Sequence, residues 1–355
     1  MCKVGLCWDR HGFCVECTGG SSSPINGQIY DANTFSGGEY KGQGSVYTTT
    51  PGVSCGVLVS TGLYHTCALF TDIGQVKCWG SNDKGQLGGG TSTGSVAADM
   101  GSNLPFVNFG ANPNVVAMQT GAEYTCVLFA NGKMKCFGNN FRCQLGLGKL
   151  GGTEHTAAYL TDTTSTGFAN VGTGRTVVSM HLGNEHTCVV LDNKQVKCFG
   201  SNGLGQLGLG DGVNRGCYVD QMGDYLPALD FGTNRYAVRV FTSGRYSTCA
   251  LLNTAELKCW GYNGEYALGM GISKDVNIGD NPGEMGDNLV AITLPTGKTV
   301  VDLCIGQHHF CVVTDTNQVK CWGGNYHGQL GLGDNNNRGD NANEMDNYLP
   351  AVDLG

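Results

Sequence analysis

Ten of the 18 cysteines in this 355-residue chain stand in five pairs of one spacing. They are Cys67 with Cys78, Cys126 with Cys136, Cys188 with Cys198, Cys249 with Cys259, and Cys311 with Cys321. Nine residues lie between partners in four pairs and ten in the first. Thiols so placed can oxidise to disulfides, ligate a metal as thiolates, or stay buried and free. Zinc sites favour C-x2–4-C, and these spacings are wider. Disulfides are the chemistry the spacing favours, each a staple of about 2–3 kcal/mol on a short loop. Such bonds imply an extracellular, oxidising compartment.

The elements that hold the pairs are periodic. The first Cys of each pair recurs after 59, 62, 61 and 62 residues, an internal repeat. HTCALFTDIGQVKCWGSNDKGQLGGG begins at His65, and HTCVVLDNKQVKCFGSNGLGQLGLG begins at His186. HFCVVTDTNQVKCWGGNYHGQLGLG begins at His309. Counting back three residues from Gly62, Gly121, Gly183, Gly244 and Gly306 gives Val59, Met118, Met180, Phe241 and Leu303, all apolar. Ser60, Gln119, His181, Thr242 and Cys304 follow, all polar or small, so the period is two and the element a strand. Two short apolar strands come next, joined by turns (TDIG, ANG, DNK, NTAE, DTN) whose Asn, Asp and Gly suit positive φ. In that hairpin the paired cysteines face each other, with Cα atoms about 4.5–5.5 Å apart. A last strand is expected at sequences such as YLPALDFG, with Pro227 and Pro350 marking an outer edge. Four strands per repeat, five times over, predict an all-β fold: a β-propeller of five four-stranded blades.

The pattern H-T-C-A-L…G-x-V-K-C-W-G-x-N-x-x-G-Q-L-G resembles the repeat of the regulator of chromosome condensation family. It is most similar to the cysteine-bearing secreted variety of that repeat. The resemblance covers residues 53–355, in repeats at about 53–110, 111–172, 173–232, 233–294 and 295–355. It implies a propeller, in this family most often of seven blades; five repeats mean a five-bladed ring or an incomplete arc. Family members that bind chromatin and exchange nucleotide on a small GTPase act in the nucleus without this cysteine pattern, so their activity is not carried over. Fold alone does not name a job.

Within the repeats, Trp79, Phe137, Phe199, Trp260 and Trp322 are expected to pack between blades. His65, His186 and His309 share a position with Tyr124 and Ser247, which suits a structural hydrogen bond better than catalysis. Of the other eight cysteines, Cys143 and Cys217 are expected to bond across adjacent blades. Cys55 and Cys304 are expected to fasten blade 1 to blade 5. Cys2, Cys7, Cys14 and Cys17 would supply two more bonds in a cysteine-rich N-terminal segment, which a Gly/Ser/Thr-rich connector extends to residue 52. The opening MCKVGLCWDR has no apolar signal stretch, so a processed form or an absent upstream part is expected.

Charged residues are 14% and formal net charge is −8, which argues against a nucleic-acid partner. No apolar run is long enough for a membrane span. Arg338-Gly339-Asp340 spells an adhesion tripeptide, but Arg215-Gly216-Cys217 and Ile278-Gly279-Asp280 stand at the same repeat position, which favours repeat drift. Asp334, Asp340, Glu344 and Asp346 offer oxygen ligands for Ca²⁺, without the spacing of an EF-hand; no cofactor is otherwise expected. No nucleophile elbow, metal-protease helix or phosphate loop is present. The expected function is a non-enzymatic extracellular structural or interaction protein, one form of it a self-assembling subunit of a surface layer or filament. The alternatives are a soluble propeller binding a protein or glycan through its loops, and a glycan-active enzyme with a site at the ring centre.

Overall fold

The structure is a computed structural model. It describes residues 6–8, 14–16, 56–89, 94–150, 152–154, 160, 167–242, 245–272, 276–292, 294, 297–341 and 343–355. β1 (Leu6–Trp8) and β2 (Cys14–Glu16) pair as a separate two-stranded antiparallel sheet. The side chains of Cys7 and Cys14, like Cys2, Cys17 and Cys55, lie outside the described residues.

Each repeat is an antiparallel sheet in chain order. Blade 1 holds β3 (Val57–Thr61), β4 (His65–Phe70) and β5 (Gln75–Gly80). Blade 2 holds β6 (Val115–Thr120), β7 (Tyr124–Phe129), β8 (Met134–Asn139) and β9 (Thr153–Glu154). Blade 3 holds β10 (Val177–Leu182), β11 (His186–Leu191) and β12 (Val196–Gly200). Blade 4 holds β13 (Ala237–Thr242), β14 (Ser247–Leu252) and β15 (Leu257–Gly261). Blade 5 holds β16 (Val300–Ile305), β17 (His309–Thr314) and β18 (Val319–Gly323).

Among the described residues each blade has three strands where four were expected, except blade 2, whose fourth strand is two residues long. Elsewhere the fourth position shrinks to single bridges, Gly200 with Arg215, Gly261 with Ile278 and Gly323 with Arg338. The YLPALDFG-type segment is not a strand either. It touches the third strand through one backbone bond, as from the Leu229 N–H to the Val196 carbonyl (2.8 Å). Beside it, a buried lysine ammonium ties the outer parts of adjacent blades together. Lys197 Nζ donates to the carbonyls of Val171 (3.1 Å) and Gly223 (2.7 Å).

Two local expectations shift as well. In blade 4 it is Val240, not Phe241, that faces Ala250 as Met180 faces Val189; Phe241 faces Cys249. One more residue lies between β13 and β14 than between β10 and β11, which moves the register back by one. The positive-φ residue of the hairpin turn is Gly74, Gly132 or Asn317 in three blades, but Lys194 and Ala255 in blades 3 and 4. After the third strand the Gly is required. Gly200 sits at φ +109°, and a Cβ there would lie 2.5 Å from the Glu185 carbonyl.

The apolar cores lie between blades, not within them. Val107 and Phe109 of blade 1 pack with Val127 and Phe137 of blade 2. Val171 of blade 2 packs with Val189 and Phe199 of blade 3. Phe231 of blade 3 packs with Trp260 of blade 4, and Ile292 of blade 4 with Trp322 of blade 5. Among the described residues there are four such cores for five blades.

Candidate interaction surface

The paired cysteines sit in register on the second and third strands, for instance Cys188 opposite Cys198 and Cys249 opposite Cys259. All five pairs are bonded, with Cα separations of 4.0–4.1 Å. A sixth bond joins Cys143 to Cys217 across blades 2 and 3, with Cα atoms 4.9 Å apart. Cys143 takes the φ +65° turn position that Gly85, Gly205 and Gly328 fill elsewhere.

Cys304 is an exposed free thiol, which corrects its expected bond to Cys55. The repeat register gives the reason. At the same position Ser60 Oγ bonds Thr120, and Gln119 Oε1 accepts from the Leu182 N–H. The blade 1 counterpart of Thr120 and Leu182 is Thr61, paired with Thr66 as they are with Thr125 and Thr187. This position faces the following blade, and Cys55 itself lies outside the described residues.

Junctions share one hydrogen-bond scheme. Thr125, Thr187 and Thr248 donate from Oγ1 to the carbonyls of Gln86, Gln144 and Gln206 in the preceding blade, each at 2.9 Å. Since those hydroxyl protons go to carbonyls, the histidines must donate to the hydroxyl oxygens. His65 Nε2 lies 3.0 Å from Thr125 Oγ1, and His186 Nε2 3.0 Å from Thr248 Oγ1. Burial holds both imidazoles neutral, with pKa values lowered to about 4. Tyr124 fills the same place differently, its hydroxyl donating to the His186 carbonyl (2.7 Å). Trp260 Nε1 donates to the Gln206 carbonyl (3.1 Å), and Trp322 Nε1 to that of Ala267 (3.0 Å). Phe137, Phe199, Trp260 and Trp322 therefore lie buried between blades, Phe137 against Phe109 and Trp260 against Phe231 at ring separations of 5.9 Å, whereas Trp79 of blade 1 is only half-buried.

The repeat lysines went unnoticed in the sequence, though VKC or its equivalent carries one in every repeat: Lys77, Lys135, Lys197, Lys258 and Lys320. Lys258 Nζ clasps the outer segments of two blades, donating to the carbonyls of Phe231 (3.1 Å) and Gly286 (2.8 Å). Desolvation lowers the pKa of Lys197, Lys258 and Lys320.

At the far end, a cleft of about 530 Å³ is lined by Tyr326, the Asn335–Asn337 loop and Glu344, among others. The Arg338-Gly339-Asp340 tripeptide lies here, tied into its own loop. Arg338 Nη2 pairs with Asp334 Oδ2 (2.6 Å), as Arg215 pairs with Asp211 (2.5 Å) in blade 3. Asp340 is raised to about 6 by burial and by its contact with Glu344. Glu344 stays below its usual range, its Oε2 accepting from the N–H groups of Gly339, Asp340 and Asn341. Asp334 is thus paired with Arg338, and Asp340 and Glu344 contact each other. Among the described residues no three His, Cys, Asp or Glu side chains gather as a metal site, and no helix is long and apolar enough to cross a membrane.

Exposed aromatics recur around the rim. Phe141 and Tyr326 share one repeat position, both 59% exposed, and Tyr225 and Tyr348 share another.

A repeated three-stranded blade, a staple in each, and cores between blades define a disulfide-bonded β-propeller protein. Residues 57–86, 177–206 and 300–329 match the regulator of chromosome condensation (RCC1) repeat. The chain is 26% identical over 275 residues to the ultraviolet-B receptor UVR8 of Arabidopsis thaliana, covering 77% of this chain and 54% of the receptor. The chain thus spans about half the length of that relative. Its fold is similar to human WBSCR16 (TM-score 0.59, 18% identity, 84% of this chain and 67% of that one). It is also similar to yeast RCC1 (Prp20), solved bound to Kap60 (TM-score 0.58, 21% identity, 79% of this chain and 58% of that one).

Proposed function

We propose that the chain is a non-enzymatic, extracellular interaction scaffold that binds protein, with self-assembly into a surface layer or filament as its working form. The observation that carries this is the buried disulfide in every blade. Five equivalent bonds at 4.0–4.1 Å between Cα atoms stiffen the fold wherever thiols are kept oxidised, and they would be wasted in a reducing cytosol. The yeast structure with Kap60 supports reading such propellers as protein-binding surfaces. The inner-strand acid Asp302 is held by Arg239 Nη2 at 2.8 Å, which suits a structural ion pair better than a catalytic carboxylate.

The test is surface labelling of intact source cells with a membrane-impermeant amine reagent, followed by cross-linking. The reading expects labelling before lysis and cross-links to a protein partner. Labelling only after lysis would contradict it. A second reading, glycan binding, is favoured by the exposed pairs Phe141/Tyr326 and Tyr225/Tyr348, since sugar faces stack on such rings. Glycan-array binding lost on Tyr326→Ala would select it.

A further inference from the structure

The cleft of about 530 Å³ on blade 5 is built on a frame that recurs in blade 3. In blade 5 the Asn325 N–H donates to Asn337 Oδ1 (2.9 Å), and Asn325 Nδ2 donates to the Asp334 carbonyl (2.9 Å). The Asn336 N–H donates to Asp334 Oδ1 (2.9 Å), and Arg338 Nη2 closes the loop on Asp334 Oδ2 (2.6 Å). In blade 3 Asn202, Asp211, Asn214 and Arg215 make the same bonds, with the Val213 N–H in the place of that of Asn336. Both loops bridge back to the third strand alike, Arg338 to Gly323 and Arg215 to Gly200.

On that common frame the outward residues differ. Gly203, Gly212 and Val213 of blade 3 are replaced by Tyr326, Asn335 and Asn336 in blade 5. These three line the cleft and are exposed. Among the described residues, the Tyr326 hydroxyl and the side-chain amides of Asn335 and Asn336 find no hydrogen-bond partner within the chain. The other wall groups are spent. Arg338 holds Asp334 and the carbonyls of Asn336 and Asn337. Glu344 accepts from the N–H groups of Gly339, Asp340 and Asn341. The walls are therefore fixed by internal bonds, which lowers the ordering cost of binding, while one ring and two amides stay free to meet a ligand.

The opening is not the seat of a neighbouring blade. Blade 3 touches its successor through Gly205, Gly208 and Gly210, and the blade 5 counterparts Gly328, Gly331 and Gly333 do not line the cleft. Val213 is 54% exposed with blade 4 in place after it, and Phe141, with blade 3 after it, is as exposed as Tyr326.

The free groups select a chemistry. A tyrosine ring offers an apolar face with a polar edge, and an amide both donates and accepts, which suits a carbon ring studded with hydroxyls. Arg338, the one cation that lines the cleft among the described residues, is paired with Asp334, while Asp340 and Glu344 add carboxyl groups, so an anionic ligand finds no free positive charge. The volume falls within the range of about 300–1,000 Å³ usual for small-molecule sites. We propose that this cleft binds a neutral oligosaccharide, with Tyr326 stacking on a sugar face and the amides of Asn335 and Asn336 bonding to its hydroxyls. This rests on the glycan-binding reading and gives it a site and a ligand class.

The experiment is binding of the full, oxidised chain to an array that carries neutral hexose oligosaccharides beside their sulfated and uronic-acid counterparts, followed by titration calorimetry with the neutral oligosaccharide that binds most strongly. The variants are Tyr326→Ala, Asn335→Ala and Asn336→Ala, with Phe141→Ala as the control. All four side chains are exposed, so each variant should fold, which thermal melts check. Neutral oligosaccharides should bind, each cleft variant should lose affinity on the order of tenfold, and Phe141→Ala should change it by less than about twofold. Binding confined to sulfated or uronic-acid glycans would overturn the proposal. No binding to any glycan of the array would overturn it together with the glycan reading. Glycan binding that survives all three cleft variants and is lost on Phe141→Ala or Tyr225→Ala would overturn this site alone and leave the glycan reading standing.

Discussion

The lysine clasp can be tested by Lys197→Met. Lys197 is 6% exposed and its ammonium donates two short hydrogen bonds, to the carbonyls of Val171 (3.1 Å) and Gly223 (2.7 Å). Methionine keeps the stem's packing but leaves both carbonyls without this donor. Hydrogen bonds from a charged donor contribute about 1.5–3 kcal/mol each. Part of that sum is offset because the variant no longer desolvates an ammonium. A net loss of about 2–4 kcal/mol is expected, enough to bring the urea midpoint down by about 1 M or more. Lys77→Met is the internal control. Lys77 makes one solvent-exposed bond, to the Gly101 carbonyl (3.0 Å), and its loss should cost under about 1 kcal/mol. The assay is urea unfolding with the disulfides intact. Equal costs for the two variants, or a neutral Lys197→Met, would refute the claim that the clasp fixes the outer segments.

Acid should weaken the fold through its buried histidines. Their folded pKa values are about 4 for His65 and His186, against 6.5 unfolded, so the unfolded chain binds more protons in between. Stability is full above pH 6.5 and falls as pH drops toward 4, by up to about 3 kcal/mol per group; His186→Gln should flatten that slope in melts from pH 7 to 4. Ala255 occupies a left-handed turn position at φ +64° and is exposed, so Ala255→Gly should raise the urea midpoint, by about 0.5–1 kcal/mol of stability. An unchanged or lowered midpoint would show that the strain is relieved elsewhere.

The repeat, its hairpins and their cysteine pairing were legible because they are written in short spacing. A Cys, a turn rich in Gly, Asn or Asp, and a second Cys specify a local structure. The fourth strand was not legible. YLPALDFG has an apolar alternation that suits a strand, yet its ladder to the third strand is a single backbone bond, Leu229 to Val196, which local sequence does not reveal. The blade 4 offset escaped because four residues separate β13 from β14 where three separate β10 from β11, and local sequence does not mark which is extra. The exposure of Val57 and Val59 was invisible for a different reason. Val57 and Val59 read the same as Val115 and Met118 in sequence, and nothing local tells a covered strand from an uncovered one. The kinship of Arg338-Gly339-Asp340 with its repeat equivalents was legible, and Arg338 and Arg215 make the same loop-closing ion pair.

The central claim is that each blade is closed by its own disulfide. Peptide mapping by mass spectrometry, without reduction and with free thiols alkylated first, tests it on protein from its native source. The account predicts five linked peptide pairs, Cys67–Cys78 through Cys311–Cys321, a sixth linking Cys143 to Cys217, and alkylated Cys304. Alkylation of the hairpin cysteines in native material would contradict both the staples and the oxidising compartment inferred from them.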